Sequence, residues 1–293
     1  MEYDFSDALA RFNSLELVQW LIDKKLIKDS QTCMQCNQLM RLVSDTTISD
    51  GMKWRCSKNK TTLSIRTGSW LSTFKISLRA LIKAILFWSR CFNFVDISKS
   101  VKISAPVYIR LRKFLISKIS DYYILNLIKL GGPNVIVQVD ETKLNHNVKS
   151  HRGRGPIRPA WCLCIVDTST MPARGFATMI PDRTAATIIP IIEQVVRPRS
   201  IIHTDEARVY KTLRHNFEHS SVCHKYNFVD PFTGVHTQHV ESYNNKIKNS
   251  IKNMRGIDEE KREDFLKEFM FLDQFKKTAF EQILELLNLK KLY

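Results

Sequence analysis

Two apolar runs in this sequence end on a carboxylate. "VIVQVDET" delivers Asp140 and "SIIHTDEA" delivers Asp205, and each run reads as a buried strand. In an α/β sheet, functional groups collect at strand ends, where loops leave the core open to a ligand. If the two strands are neighbours, the acids meet at one edge. Two ionised carboxylates pushed together repel, and burying them is costly unless a cation lies between them. Mg²⁺, which prefers carboxylates plus phosphate oxygens, suits such a pair. Glu241, in "GVHTQHVESYNNKIKNSIKNM", is the candidate for a third acid. At helical spacing it shares a face with Gln238, Asn245 and Lys248, while Val240, Ile247 and Ile251 fall on another. A single Asp or Glu is ordinarily a solvated surface charge. Three together, two of them closing apolar strands, are a candidate metal site.

The elements that must position these acids follow from the pattern. After "GGP" at 131–133 come the strand-like runs "NVIVQVDET", "PAWCLCIVDTST" and "GFATMI", then a helix capped by Thr184, the strand "SIIHTD", and a helix beginning near 237. That order is an α/β domain with a mixed sheet over residues 133–257. Ahead of it, residues 1–30 hold a helix over 14–28 with Ser14 as N-cap and Leu15, Val18, Leu21, Ile22 and Leu26 on one face. Residues 31–72 read as a small ribbon around a Ser-Asp-Gly turn. Residues 75–130 read as three helices, the third long and basic with Arg110, Arg112 and Lys113, the order of a helix-turn-helix. A plain helical bundle fits the same pattern. The stretch 258–293 is amphipathic and helical, a tail that packs on the α/β domain.

Charge identifies the kind of partner. The 293 residues carry a formal net charge of +16, and residues 60–119 hold twelve Lys/Arg against one acid, Asp96. Charge concentrated in this way points to a polyanion, and nucleic acid fits better than a membrane because no amphipathic anchor is evident. Lys149, Arg152 and Arg154 in "KSHRGRG" combine donors with flexible glycines and are candidate phosphate contacts, as are Asn245 and Lys248. His236 and His239 read as packing or capping residues near the site. No segment approaches the ~18 apolar residues of a membrane span. The acidic start "MEYDFSDALARF" lacks the order of a signal peptide, so an intracellular protein is expected. Seven unevenly placed cysteines do not resemble a disulfide framework; reduced thiols, with a possible metal site at Cys33, Cys36 and Cys56, fit better.

The runs "VDETKLNHNVKSHRGRG", "PDRTAATIIPIIEQVV", "IIHTDEARVYKTL" and "KYNFVDPFTGVHTQHVESYNNKIK" closely resemble the Merlin superfamily of cut-and-paste DNA transposases and their bacterial insertion-sequence relatives. The resemblance is strong over about 134–257 and looser in the front half. It implies a ribonuclease-H-like fold with an Asp-Asp-Glu triad: Asp140 as first acid, Asp205 as second, and Glu241 as third after 35 intervening residues. It further implies two Mg²⁺ (or Mn²⁺) ions, cleavage at element ends, and joining of a 3′-hydroxyl to target DNA. The partners would be double-stranded DNA, both terminal inverted repeats and target, and a second copy of the chain in a homodimer. The compartment would be the nucleus in a eukaryote or the cytoplasm in a bacterium. The runner-up is a non-catalytic, host-retained DNA-binding protein descended from a transposase.

The resemblance also implies a zinc ribbon with two Cys-x-x-Cys knuckles. The first, Cys33 and Cys36, is intact. The second begins at Cys56 but has Asn59 where a fourth thiolate belongs, and structural zinc favours four N/S ligands. Either Zn²⁺ is held by three thiolates and an unusual fourth ligand, or the ribbon is metal-free.

Overall fold

The computed structural model describes residues 5–144, 159–222, 229–230 and 233–289, without the side chains of 211, 212, 214 and 215. The chain divides into two compact units, residues 1–119 with 275–293, and residues 120–274. The candidate phosphate contacts Lys149, Arg152 and Arg154 lie outside the described residues.

In the first unit, α2 (Ser14–Asp23) occupies the predicted 14–28 helix but ends five residues early, and a further helix, α1 (Phe5–Arg11), precedes it. The N-cap of α2 is Asn13, not Ser14. Asn13 Oδ1 accepts from Glu16 N at 2.9 Å, and Asn13 N donates to Glu16 Oε2 at 2.7 Å. The reciprocal bonds need an acid three residues beyond the cap, a spacing Asn13 has and Ser14 lacks. The buried stripe is accordingly Leu17, Val18 and Leu21, and Leu15 is exposed. Strands β1 (Arg41–Ser44), β2 (Met52–Arg55) and β3 (Thr62–Ser64) form an antiparallel ribbon. Arg66, buried beside it, donates from Nε to Asp50 Oδ2 at 2.6 Å and from Nη2 to the Ile76 carbonyl at 2.7 Å. Three helices follow: α3 (Leu78–Ser89) capped by Ser77, α4 (Phe94–Val101) capped by Asn93, and α5 (Ala105–Leu125). Arg110 and Lys113 on α5 are exposed and Arg112 is half-buried; the Arg110 guanidinium lies 4.9 Å from the Phe74 ring centre.

The second unit is built on a five-stranded mixed sheet. β4 (Ile136–Lys143), β5 (Trp161–Asp167) and β6 (Arg174–Ile180) are antiparallel neighbours. The chain then passes through α6 (Ala185–Val195) to β7 (Ile201–Asp205), which returns parallel to β4, and to β8 (Glu218–Val222), parallel to β7. The order is β6-β5-β4-β7-β8, so the strands carrying Asp140 and Asp205 are adjacent; Asp205 closes β7 as expected, but β4 continues three residues past Asp140 to Lys143 because β5 pairs with it there. Thr184 stands at the N-cap position of α6, but its hydroxyl goes to Asp182 Oδ1 at 2.7 Å rather than to the helix.

β5 is apolar on six of its seven residues, whereas β4 buries Gln138, Glu141 and Thr142 among its apolar ones, so its polar side chains must find partners inside the fold. One helix covering the sheet is α7 (Gln238–Asn253), which turns Val240, Tyr243, Ile247 and Ile251 inward. Tyr243 needs the space that Gly175 leaves, since a Cβ at Gly175 would lie 2.3 Å from the ring. Another is α8 (Arg262–Gln274), which packs on β6. The chain re-enters the first unit as α9 (Ala279–Leu286), packed against α3. Among the described residues, no helix is long and apolar enough to cross a membrane.

Candidate active site

The β4–β7 register pairs Ile136 with Ile201, Val137 with Ile202 and Gln138 with His203. Two residues further, the same register sets Asp140 level with Asp205, on strands that run ~4.8 Å apart. Level residues of parallel strands face the same way, so both acids point to the face that α7 covers. Asp205 accepts from the backbone N of Ala207 at 3.0 Å, which fixes its carboxylate at the end of the strand.

Gln138, two residues before Asp140 and on the same face, holds α7 in place. Its Oε1 accepts from the backbone N of His239 (2.8 Å) and Val240 (3.1 Å), two of the donors that open the helix. Its Nε2 lies 3.3 Å from His236 Nδ1. Glu241 is thereby fixed in the first turn of α7, where it accepts from the Thr237 hydroxyl at 2.9 Å. One turn on, Asn244 Nδ2 donates to Asp140 Oδ2 at 2.8 Å. Neither Gln138 nor Asn244 is a candidate in the sequence, although Asn244 lies three residues after Glu241, one helical turn away.

Asp140, Glu241, Asn244, Asn245 and Lys248 line one open depression of about 380 Å³. Asp205 does not line it, but lies close enough to act electrostatically on Asp140. The carboxyl of Asp140 is pushed up to about 7, first by burial and then by the charges of Glu141, Asp205 and Glu241. The three acids do not converge as tightly as Cys33, Cys36 and Cys56. Among the described residues, that trio alone brings three metal-type donors within 4.8 Å of one another.

The surroundings of Asp140 suit a hard divalent cation. Its donors are oxygens, its charge is opposed by burial and by other acids, and buried Asn244 Oδ1 has no hydrogen-bond partner among the described residues. The cysteine trio is a different environment. Cys36 Sγ lies 3.6 Å from Cys56 Sγ. Asn59 occupies the fourth corner, with its backbone N 3.4 Å from Cys56 Sγ and Nδ2 3.7 Å from Cys33 Sγ. The backbone N–H of Gln35 and the Thr61 hydroxyl hold the Cys33 thiol down at about 6. Three converging sulfurs, one readily ionised, suit a soft or borderline metal.

A five-stranded mixed sheet with an acid-lined depression at the ends of its central strands defines an α/β domain with a sheet-end polar site. Residues 129–272 match the ISXO2-like transposase domain, an insertion-sequence transposase family that the chain resembles over that span. An uncharacterized transposase-like protein of Haemophilus influenzae is 29% identical over 99 residues, 33% of this chain and 79% of that protein. A cryo-EM structure of the simian T-cell lymphotropic virus intasome in complex with PP2A regulatory subunit B56 gamma is similar at a TM-score of 0.32. It is 13% identical and covers 64% of this chain and 68% of that one. A likeness that loose carries no argument.

Proposed function

We propose that the chain is a DDE-type DNA transposase, with a ribonuclease-H-like catalytic domain and Asp140, Asp205 and Glu241 as its triad. The observation that supports the reading is electrostatic: in a basic chain that matches a transposase family, Asp140 is opposed by burial and by the charges of Glu141, Asp205 and Glu241. Such an arrangement is costly unless it serves a cation.

Asp140, Asp205 and Glu241 would hold two Mg²⁺ or Mn²⁺ ions. When bound, these lower the pKa of the attacking water or 3′-hydroxyl and offset charge on the departing oxygen of a phosphodiester. The chain's own residues supply position. Asn244 fixes one oxygen of Asp140, Thr237 fixes one of Glu241, and Gln138 sets the start of the helix that carries both Glu241 and Asn244. Lys248 and Asn245, exposed on the rim, would contact the DNA backbone, as would Arg110, Arg112 and Lys113 on α5. The partners are double-stranded DNA, at terminal repeats and target, and a second copy of the chain. In the front unit, Cys33, Cys36 and Cys56 would hold Zn²⁺ with the fourth position left to Asn59 or water.

The test is Asp205→Asn. Mg²⁺-dependent nicking of labelled duplex should fall below detection, with duplex affinity retained. Nicking at the wild-type rate would refute the triad. Wild-type protein that binds duplex but never nicks, with either Mg²⁺ or Mn²⁺, would favour the non-catalytic DNA-binding reading.

A further inference from the structure

Glu141 follows Asp140 in β4 and, like Lys143, borders the same depression, but its carboxylate meets a different set of groups. Its side chain is 1% exposed, with Arg183 Nη2 2.7 Å and Arg183 Nε 2.8 Å from Oε2. The hydroxyl of buried Tyr210 donates to Oε1. A carboxylate gripped on both oxygens is an anchor, and the group it anchors is Arg183, between β6 and α6. The Arg183 guanidinium lies 4.6 Å from the centre of the Trp161 ring. Trp161 pairs with Lys143 across the β4–β5 ladder, and Lys143 Nζ lies 5.6 Å from the same ring. Two cations therefore share one indole, and Lys143 itself lines the acid depression.

The Arg183 side chain nevertheless remains 41% exposed, and it binds Glu141 through Nε and Nη2, the inner edge of the fork, so that Nη1 is not engaged by that pair. A surface ion pair made only for stability is worth little and holds its side chains loosely. Here the fork is fixed along its inner edge by a buried acid and held on a ring face, so the outward donor is already oriented. Preorganisation of that kind lowers the ordering cost of binding, and a phosphate oxygen is the planar guanidinium's natural acceptor.

We propose that Arg183, anchored by Glu141 and Tyr210 and flanked by Trp161 and Lys143, is a phosphate-binding site for the DNA strand that enters the carboxylate depression. It grips a backbone phosphate beside the reacting one. This rests on the transposase reading above. Glu141 and Tyr210 are positioning residues, and Lys143 is a second contact.

The experiment is a salt titration of binding to a random-sequence DNA duplex, using the full chain without divalent metal. Each phosphate contact contributes about 0.9 to the slope of log K against log salt. Arg183→Ala should lower that slope by about one, and Arg183→Lys should largely keep it. If Arg183→Ala fails to fold because Glu141 is left buried and unpaired, Glu141→Gln/Arg183→Gln removes both charges and is compared in its place. A folded variant with an unchanged slope overturns the proposal. The catalytic reading is tested separately: wild-type nicking lost in Asp205→Asn, together with an unchanged Arg183 slope, removes this site alone. A lowered slope in a chain that never nicks keeps the site and removes the triad.

Discussion

Gln138→Met tests whether the sheet sets the position of the catalytic helix. Methionine preserves length and volume and removes the amide. In the native structure Gln138, 1% exposed, is the acceptor for two backbone N–H groups at the start of α7. These are donors that no turn of the helix can satisfy. Each buried N–H left without a partner costs about 1–3 kcal/mol. An ordinary helix cap is worth about 0.5–2 kcal/mol. The two estimates meet at a loss of about 2–4 kcal/mol for the substitution.

For a unit of this size, each kcal/mol moves Tm by roughly 2–4 °C, so a fall of roughly 5–15 °C is expected in thermal unfolding. Activity should suffer beyond stability, because Glu241 and Asn244 are carried on the same helix as the freed N–H groups. At a temperature where the variant is fully folded, Mg²⁺-dependent nicking should still fall about tenfold or more, since small misplacements of catalytic groups are expensive. Duplex affinity should change little. A Tm within 2 °C of wild type, set against the roughly 5–15 °C expected, would show that water serves the helix start as well as Gln138 does. Full nicking in a destabilised variant would separate the cap from the chemistry.

Three other perturbations follow from the same geometry. Asp140→Asn should stabilise the metal-free protein increasingly as pH rises: a carboxyl raised from 3.8 to about 7 holds its proton more tightly folded than unfolded. Wild type therefore loses that contribution between about pH 4 and 7. At ~1.36 kcal/mol per unit the ceiling is about 4 kcal/mol, and partial solvation lowers the expectation to about 2; urea unfolding of both proteins across this range checks it, and parallel curves would count against it. Asn59→Cys should complete a four-sulfur set and tighten zinc at least about tenfold in chelator competition, whereas unchanged affinity would place Asn59 outside the metal's reach. Gly175→Ala should cost about 1–3 kcal/mol, because its Cβ would press on the buried Tyr243 ring; differential scanning calorimetry would show it as a lowered Tm.

Much of the second unit was legible because its strands announce themselves. β5 is a near-continuous apolar run, and β4 and β7 each open on apolar residues that lead to an acid, Asp140 and Asp205, that no core would otherwise accept. β8 gives no such signal: "EHSSV" is polar and is a strand only because β7 offers it a parallel edge. The helix expected over 14–28 starts at Ser14 as predicted but ends at Asp23. The apolar periodicity runs on through Leu26, while the backbone leaves the helix at Lys24 and turns left-handed at Lys25 (φ 56°).

The residues that sequence reasoning missed share a physical character: each acts through a neighbour. Gln138 reads as a polar interruption of an apolar strand, which on its own argues for exposure, yet it is buried because it completes a helix 100 residues further along the chain. Glu141 reads as the solvent-facing partner of Asp140 by alternation. It is buried because Arg183 and Tyr210, from two later segments, neutralise and satisfy it. Acids at strand ends can be found from one element at a time, because their cost is local. A group whose burial is offset from elsewhere in the chain becomes visible only when the fold brings its partners together, and in this protein those groups orient the acids and the adjacent cations.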